Sequence, residues 1–73
     1  MLTNRGYFMK NDRGENVKLL QAFLNFDLSN NIGIDGIIGN ATINSVKLFQ
    51  KKHGLVQDGY FGKACLNKMK ELL

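Results

Sequence analysis

A single histidine, His53, and a single cysteine, Cys65, set the ceiling on covalent chemistry in this 73-residue chain. An activated nucleophile needs a neighbouring base held by a third group, and a structural zinc needs about four Cys or His ligands. Neither can be assembled here, so the chain is not expected to be an enzyme and no cofactor or metal is expected. Asp35 and Asp58 are the carboxylates most tempting as acid–base groups. They stand in equivalent places of two matching turns, DGIIG (35–39) and DGYFG (58–62), rather than as a pair facing one cleft. Their expected role is to accept backbone N–H bonds within their own turns. What remains is the chemistry of binding. Tyr60 is expected to expose its ring from the second turn, with Ile37 exposed at the matching place in the first. Lys51, Lys63 and His53 are candidates to meet anionic or polar groups beside it. Each has a plainer alternative: a tyrosine packed on the first helix, lysines on a solvated helix face, and a histidine bonding the last carbonyls of its helix.

The turns belong to a duplicated unit. VKLLQ (17–21) precedes the first turn and VKLFQ (46–50) the second, and DGIIGNATINSVK (35–47) aligns with DGYFGKACLNKMK (58–70). Gly36 and Gly59 are expected to take positive φ; Gly39 and Gly62 are expected to sit where a side chain would strike a neighbouring helix. Gln21 and Gln50 fall on the inner edges of their helices. A buried amide without partners costs about 1–3 kcal/mol, so each is expected to bond the glycine turn beside it. Ile38 and Phe61 are expected in the core.

The apolar spacing predicts three helices. The first runs from Glu15 to about Phe26, with Val17, Leu20, Gln21 and Leu24 inward. The second runs from about Asn40 to His53 around Ile43, Val46 and Phe49, and stops at Gly54. The third runs from about Lys63 to Leu72, with Leu66, Met69 and Leu73 as its inner face. Residues 1–14 read as an irregular segment and 15–73 as one domain. Strand alternation is nearly absent, with Gly33 to Ile38 able at most to pair briefly. The fold class is all-α, a small bundle with two pseudo-repeated loop–helix units that bury their faces on each other. Cys65 reads as a small buried hydrophobe. Leu19, Phe23 and Phe26 form a second stripe on the first helix, expected to pack under Tyr7, Phe8 and the 27–34 connection or else to serve as a docking surface.

A chain of this size buries only about 60% of its unfolded surface, which suits a binding surface better than a deep catalytic cleft. The 44% hydrophobic content argues for a folded domain. No run of 18 apolar residues is present, so no membrane span is expected, and the N-terminus lacks the apolar core of a secretory signal. The net charge of +4 is a modest excess, compatible with an anionic polymer, with nucleic acid, or with no charged partner in particular.

Taken in order, Gly14, Val17, Leu20, Gln21 and Leu24, then DGIIGNAT, then VKLFQKKHGLVQDGYFG resemble the peptidoglycan-binding domain of bacterial and phage cell-wall hydrolases. The match runs from about residue 9 to the end. Cys65 stands where the family often has Thr, and Thr42 holds that place in the first copy. The resemblance implies a non-catalytic module that anchors a hydrolase such as an endolysin or amidase to the wall. Its partners would be peptidoglycan (glycan strand or stem peptide), an anionic wall polymer, and a parent catalytic domain that delivers it outside the cell. Nucleic acid and membrane are not expected partners. Two alternatives come from other classes: a small helical DNA-binding domain using Asn44, Lys47 and Lys51, and an adaptor docking through the Leu19/Phe23/Phe26 stripe.

Overall fold

A computed structural model describes residues 5–73; the first four positions of the expected irregular segment lie outside the described residues. Three helices follow one another, α1 (Glu15–Leu28), α2 (Asn40–Lys52) and α3 (Lys63–Leu72). Among the described residues there is no strand, only two isolated antiparallel bridges, Phe8 with Phe61 and Arg13 with Ile37. The second of these is the brief pairing that the 33–38 stretch allows.

α1 outlasts the sequence estimate by two residues and ends on Ser29, which takes the left-handed conformation at φ 52°. α2 stops on a Schellman arrangement: Leu55 N–H reaches Gln50 O at 2.8 Å, Gly54 N–H reaches Lys51 O at 3.4 Å, and Gly54 has φ +71°. The connection after α1 is ordered by a side chain standing in for a strand. Asn25 Nδ2 donates to Ile32 O at 3.0 Å, and Ile32 N–H donates to Asn25 Oδ1 at 2.8 Å.

The core gathers Val17, Leu20 and Leu24 of α1, Val46 and Phe49 of α2, and Cys65 and Met69 of α3 around Ile38, Phe61 and Phe8. Phe49 is its hub, with ring centroids 5.5 Å from Phe23, 5.7 Å from Phe61 and 4.6 Å from His53. Two expected faces need correction. The inward face of α3 is Cys65 and Met69 with Leu66 partly buried against the core, as expected for Met69 and Leu66, whereas Leu73 is 80% exposed. The Leu19–Phe23–Phe26 stripe divides: Phe23 is 8% exposed and packs on Phe49, while Leu19 and Phe26 stay 61% and 75% exposed. Phe8 does not lie over that stripe either, because its backbone bonds Phe61 and its ring is buried beside it.

The segment before α1 acts as a strap across both glycine turns. Asn11 N–H donates to Ile38 O at 2.8 Å, Ile38 N–H to Asp12 O at 2.9 Å, and Gly14 N–H to Gly36 O at 3.0 Å. At the other end Phe8 N–H donates to Phe61 O at 3.0 Å. The two turns are thereby fixed relative to each other as well as to their own helices.

Candidate functional site

Each turn is latched by a glutamine. Gln21 Nε2 donates to Asp35 Oδ1 at 3.1 Å, Ile37 O at 3.0 Å and Thr42 Oγ1 at 3.1 Å, and its Oε1 accepts Gly36 N–H at 3.0 Å. Gln50 repeats the set one unit later: Nε2 faces Asp58 Oδ1 at 2.8 Å, Tyr60 O at 3.0 Å and Cys65 Sγ at 3.5 Å, and Oε1 accepts Gly59 N–H at 3.0 Å. Both glutamines are almost completely buried. Cys65 therefore fills the place of Thr42, with a weaker sulfur acceptor. Its burial pushes the thiol pKa up, away from the thiolate form that reacts.

The aspartates close the turns from within, Ile37 N–H donating to Asp35 Oδ1 at 3.0 Å and Tyr60 N–H to Asp58 Oδ1 at 2.9 Å. The bonds from the Ile37 N–H and from Gln21 hold the Asp35 carboxyl below its ordinary value. Gly36 and Gly59 have φ of +76° and +80°, where an L side chain is strained. Space is short there too. A Cβ on Gly36 would stand 3.2 Å from Lys18 Cε, and one on Gly59 would stand 3.2 Å from Lys47 Cε. The lysines of VKLLQ and VKLFQ thus lay their stems over the glycines of their own turns, a pairing that spacing alone does not display. Gly39 and Gly62 differ from expectation. Among the described residues, no atom beyond its chain neighbours lies within 4 Å of a Cβ on Gly39, and one on Gly62 would make only ordinary contact with Tyr7 and Gly6 of the strap, not with a helix.

The latch of the second unit forms one side of an open cleft of about 570 Å3. Its walls come from four places: Gly6 and Tyr7 of the strap, Leu55 and Val56 after α2, Asp58 and Tyr60 of the turn, and Lys63 with Ala64 at the start of α3. Tyr60 is 48% exposed, and its ring meets Tyr7 edge to face with centroids 5.3 Å apart and planes at 66°. It packs on the strap, not on α1.

The other candidates fall elsewhere. Ile37 is half-buried rather than exposed, and bridges Arg13 while its carbonyl serves Gln21. Lys51 is exposed on α2 and does not line the cleft. His53 turns its ring away from both the cleft and the helix carbonyls. Its Nε2 lies 3.0 Å from Asp27 Oδ2, and Lys52 Nζ reaches the carbonyl of the same Asp27, so the end of α2 is stapled to the end of α1. Among the described residues, no group of three or more His, Cys, Asp or Glu side chains is placed to hold a metal ion. Sequence reasoning missed Tyr7, Leu55 and Val56. Only the apolar knot Tyr7-Phe8-Met9 in an otherwise polar leader hinted that the first residues pack on anything.

A family model described as a peptidoglycan binding domain matches residues 13–69. Over 43 residues, 59% of this chain and 12% of the relative, the sequence is 51% identical to the N-acetylmuramoyl-L-alanine amidase CwlL of Bacillus licheniformis. Among solved structures, a peptidoglycan-binding protein from Clostridioides difficile in complex with glutamine hydroxamate superposes with a TM-score of 0.80 at 41% identity, over 86% of this chain and 39% of that one. The Burkholderia AP3 phage endolysin superposes with a TM-score of 0.81 at 35% identity, over 89% of this chain and 25% of that one. The chain thus spans less than half the length of each of these relatives.

Proposed function

This chain belongs to the peptidoglycan-binding domain family, and on that premise we propose that it is a non-catalytic module holding a cell-wall hydrolase on its substrate. The observation that carries the reading is the extent of the family match, which takes in both loop–helix units and both glutamine latches. The similarity to an amidase and to a phage endolysin supports a parent hydrolase, which would bring the module to the wall by export or at phage lysis. In this reading the cleft beside Tyr60 is the wall-binding site. Its ring offers a stacking face, and its apolar neighbours exclude water from a shallow groove with a few polar groups at the rim.

A second mode has its own support in the exposed lysines of α2 and α3, which suit the phosphates of an anionic wall polymer. Co-sedimentation with purified sacculi separates the two. The account predicts retention on sacculi stripped of teichoic acid and in about 1 M salt, where charge attraction is screened within about 3 Å. Release on stripping, with steep salt dependence before it, would assign binding to the lysines and remove the cleft from the account. Failure to sediment with intact sacculi in low salt would end the wall-anchor reading altogether.

A further inference from the structure

The cleft is built partly from residues that lie before the stretch the family model covers. The match begins at residue 13, yet Gly6 and Tyr7 form one of the walls. These residues are not a loose leader. Phe8, one position on, is buried at 2% exposure and bonded to Phe61, and Asn11 and Asp12 are paired with Ile38.

Between those two anchors the strap closes on itself. Arg5 forks onto Asp12, Nη1 to Oδ2 at 2.6 Å and Nη2 to Oδ1 at 2.8 Å, and Nη1 also donates to Tyr7 O at 3.1 Å. Asp12 Oδ2 accepts Met9 N–H at 2.9 Å as well. The Arg5 fork holds the Asp12 carboxyl below its ordinary value. The guanidinium carbon lies 5.5 Å from the Tyr7 ring centroid, so Arg5 engages both the backbone and the ring of Tyr7. A planar fork fixes orientation where an ammonium would supply only charge.

Tyr7 and Tyr60 consequently meet as a corner at the mouth of the cleft, their ring planes 66° apart. Tyr60 is 48% and Tyr7 38% exposed, and both line the cleft. A pyranose suits such a corner, because one face of the ring presents C–H groups to an aromatic face while its edge carries hydroxyl and amide groups. The charges around the cleft point the same way. Among the described residues, Lys63 and Asp58 are the charged ones that line it, one of each sign. A stem peptide with several carboxylates would find one cation beside one carboxylate, whereas a neutral amino sugar meets no penalty.

Resting on the wall-anchor reading above, we infer that the strap is part of the binding site. Tyr7 and Tyr60 grip an N-acetylhexosamine unit of the glycan strand, and Arg5 with Asp12 positions Tyr7 for it. The test compares wild type, Tyr7→Ala, Tyr7→Phe and Tyr60→Ala on stripped sacculi, with N-acetylglucosamine oligomers and a synthetic stem tripeptide as separate soluble competitors. One lost stacking partner is worth about 0.5–1.5 kcal/mol, so Tyr7→Ala should weaken binding up to about tenfold while its circular dichroism melt stays close to wild type. Tyr7→Phe, which keeps the ring, should bind within about twofold, and the sugar oligomers should compete while the tripeptide does not. Wild-type retention unchanged by Tyr7→Ala would overturn the strap's role and leave the wall reading standing. Competition by the tripeptide alone would overturn the glycan assignment. Failure of wild type itself to bind would remove the premise.

Discussion

Gln50→Ala is expected to lower the stability of the domain by about 3 kcal/mol, a fall of roughly 15 °C in melting temperature for a chain of this length. The side chain is 2% exposed and its amide serves four groups at once. Truncation strips the buried Gly59 N–H of its partner, leaves the Tyr60 carbonyl only the weak 3.7 Å contact of Cys65 Sγ, and opens a cavity between α2 and the turn. Each unsatisfied buried group costs about 1–3 kcal/mol. The same change at Gln21 should act similarly, because Gly36, Ile37 and Thr42 depend on it in the same way. Gln50→Glu should do no better at neutral pH: it deletes the Nε2 donor and sets a second carboxylate beside Asp58. Thermal and urea unfolding followed by circular dichroism read the effect. A loss under about 0.5 kcal/mol for Gln50→Ala, the range of ordinary surface substitutions, would mean the latch is not a structural element. Tyr60 lines the cleft proposed to bind the wall, so Gln50→Ala should also weaken retention on sacculi.

Phe49→Ala should be the more damaging change. The ring is fully buried and touches aromatic residues from three parts of the chain, Phe23 of α1, His53 after α2 and Phe61 of the second turn. Truncating such a phenylalanine costs about 3–5 kcal/mol, comparable to the whole stability that a core of this size supplies. The variant is expected to be largely unfolded at room temperature, with lost helical ellipticity and a flattened melt. Phe26→Ala is the control: the same chemical change at a side chain 75% exposed should shift stability by no more than about 0.5 kcal/mol. Equal effects at the two sites would contradict the packing described here.

That contrast also marks where the sequence is readable and where it is not. Helical spacing found α1, α2 and α3 to within two residues at their ends, because a glycine stands immediately before each and apolar residues recur inside; the two-residue miss falls at the end of α1, which Ser29 closes. It misjudged the edge of the buried arc. With 3.6 residues per turn, Phe23 stands about 60° around the helix from Leu20, Leu19 about 100° and Phe26 about 120°. Those three share a stripe on paper, yet the core reaches only as far as the nearest of them. The Gln-to-turn latches were legible because both copies hold every member: aspartate and glycines recur at matching offsets within each turn, and each glutamine closes a VKLxQ stretch, 14 residues before its aspartate in the first copy and 8 in the second. The cleft was only half legible. Tyr60 and Lys63 are local to the second unit, whereas Tyr7 reaches it through Phe8 pairing with Phe61, a contact across more than fifty residues that no periodicity announces. His53 was misplaced for a related reason: its partner Asp27 ends a different helix.

On the function proposed above, the second glutamine latch and the strap shape a cleft that receives the wall. The most direct measurement is a solution NMR titration of the isotope-labelled chain with soluble peptidoglycan fragments that keep both sugar and peptide. The account predicts saturable shifts confined to Tyr7, Leu55, Tyr60, Lys63 and Ala64, with Leu19, Phe26 and Ile37 unmoved. Shifts centred on Leu19 and Phe26, or on the lysines of α2 with the cleft silent, would contradict it.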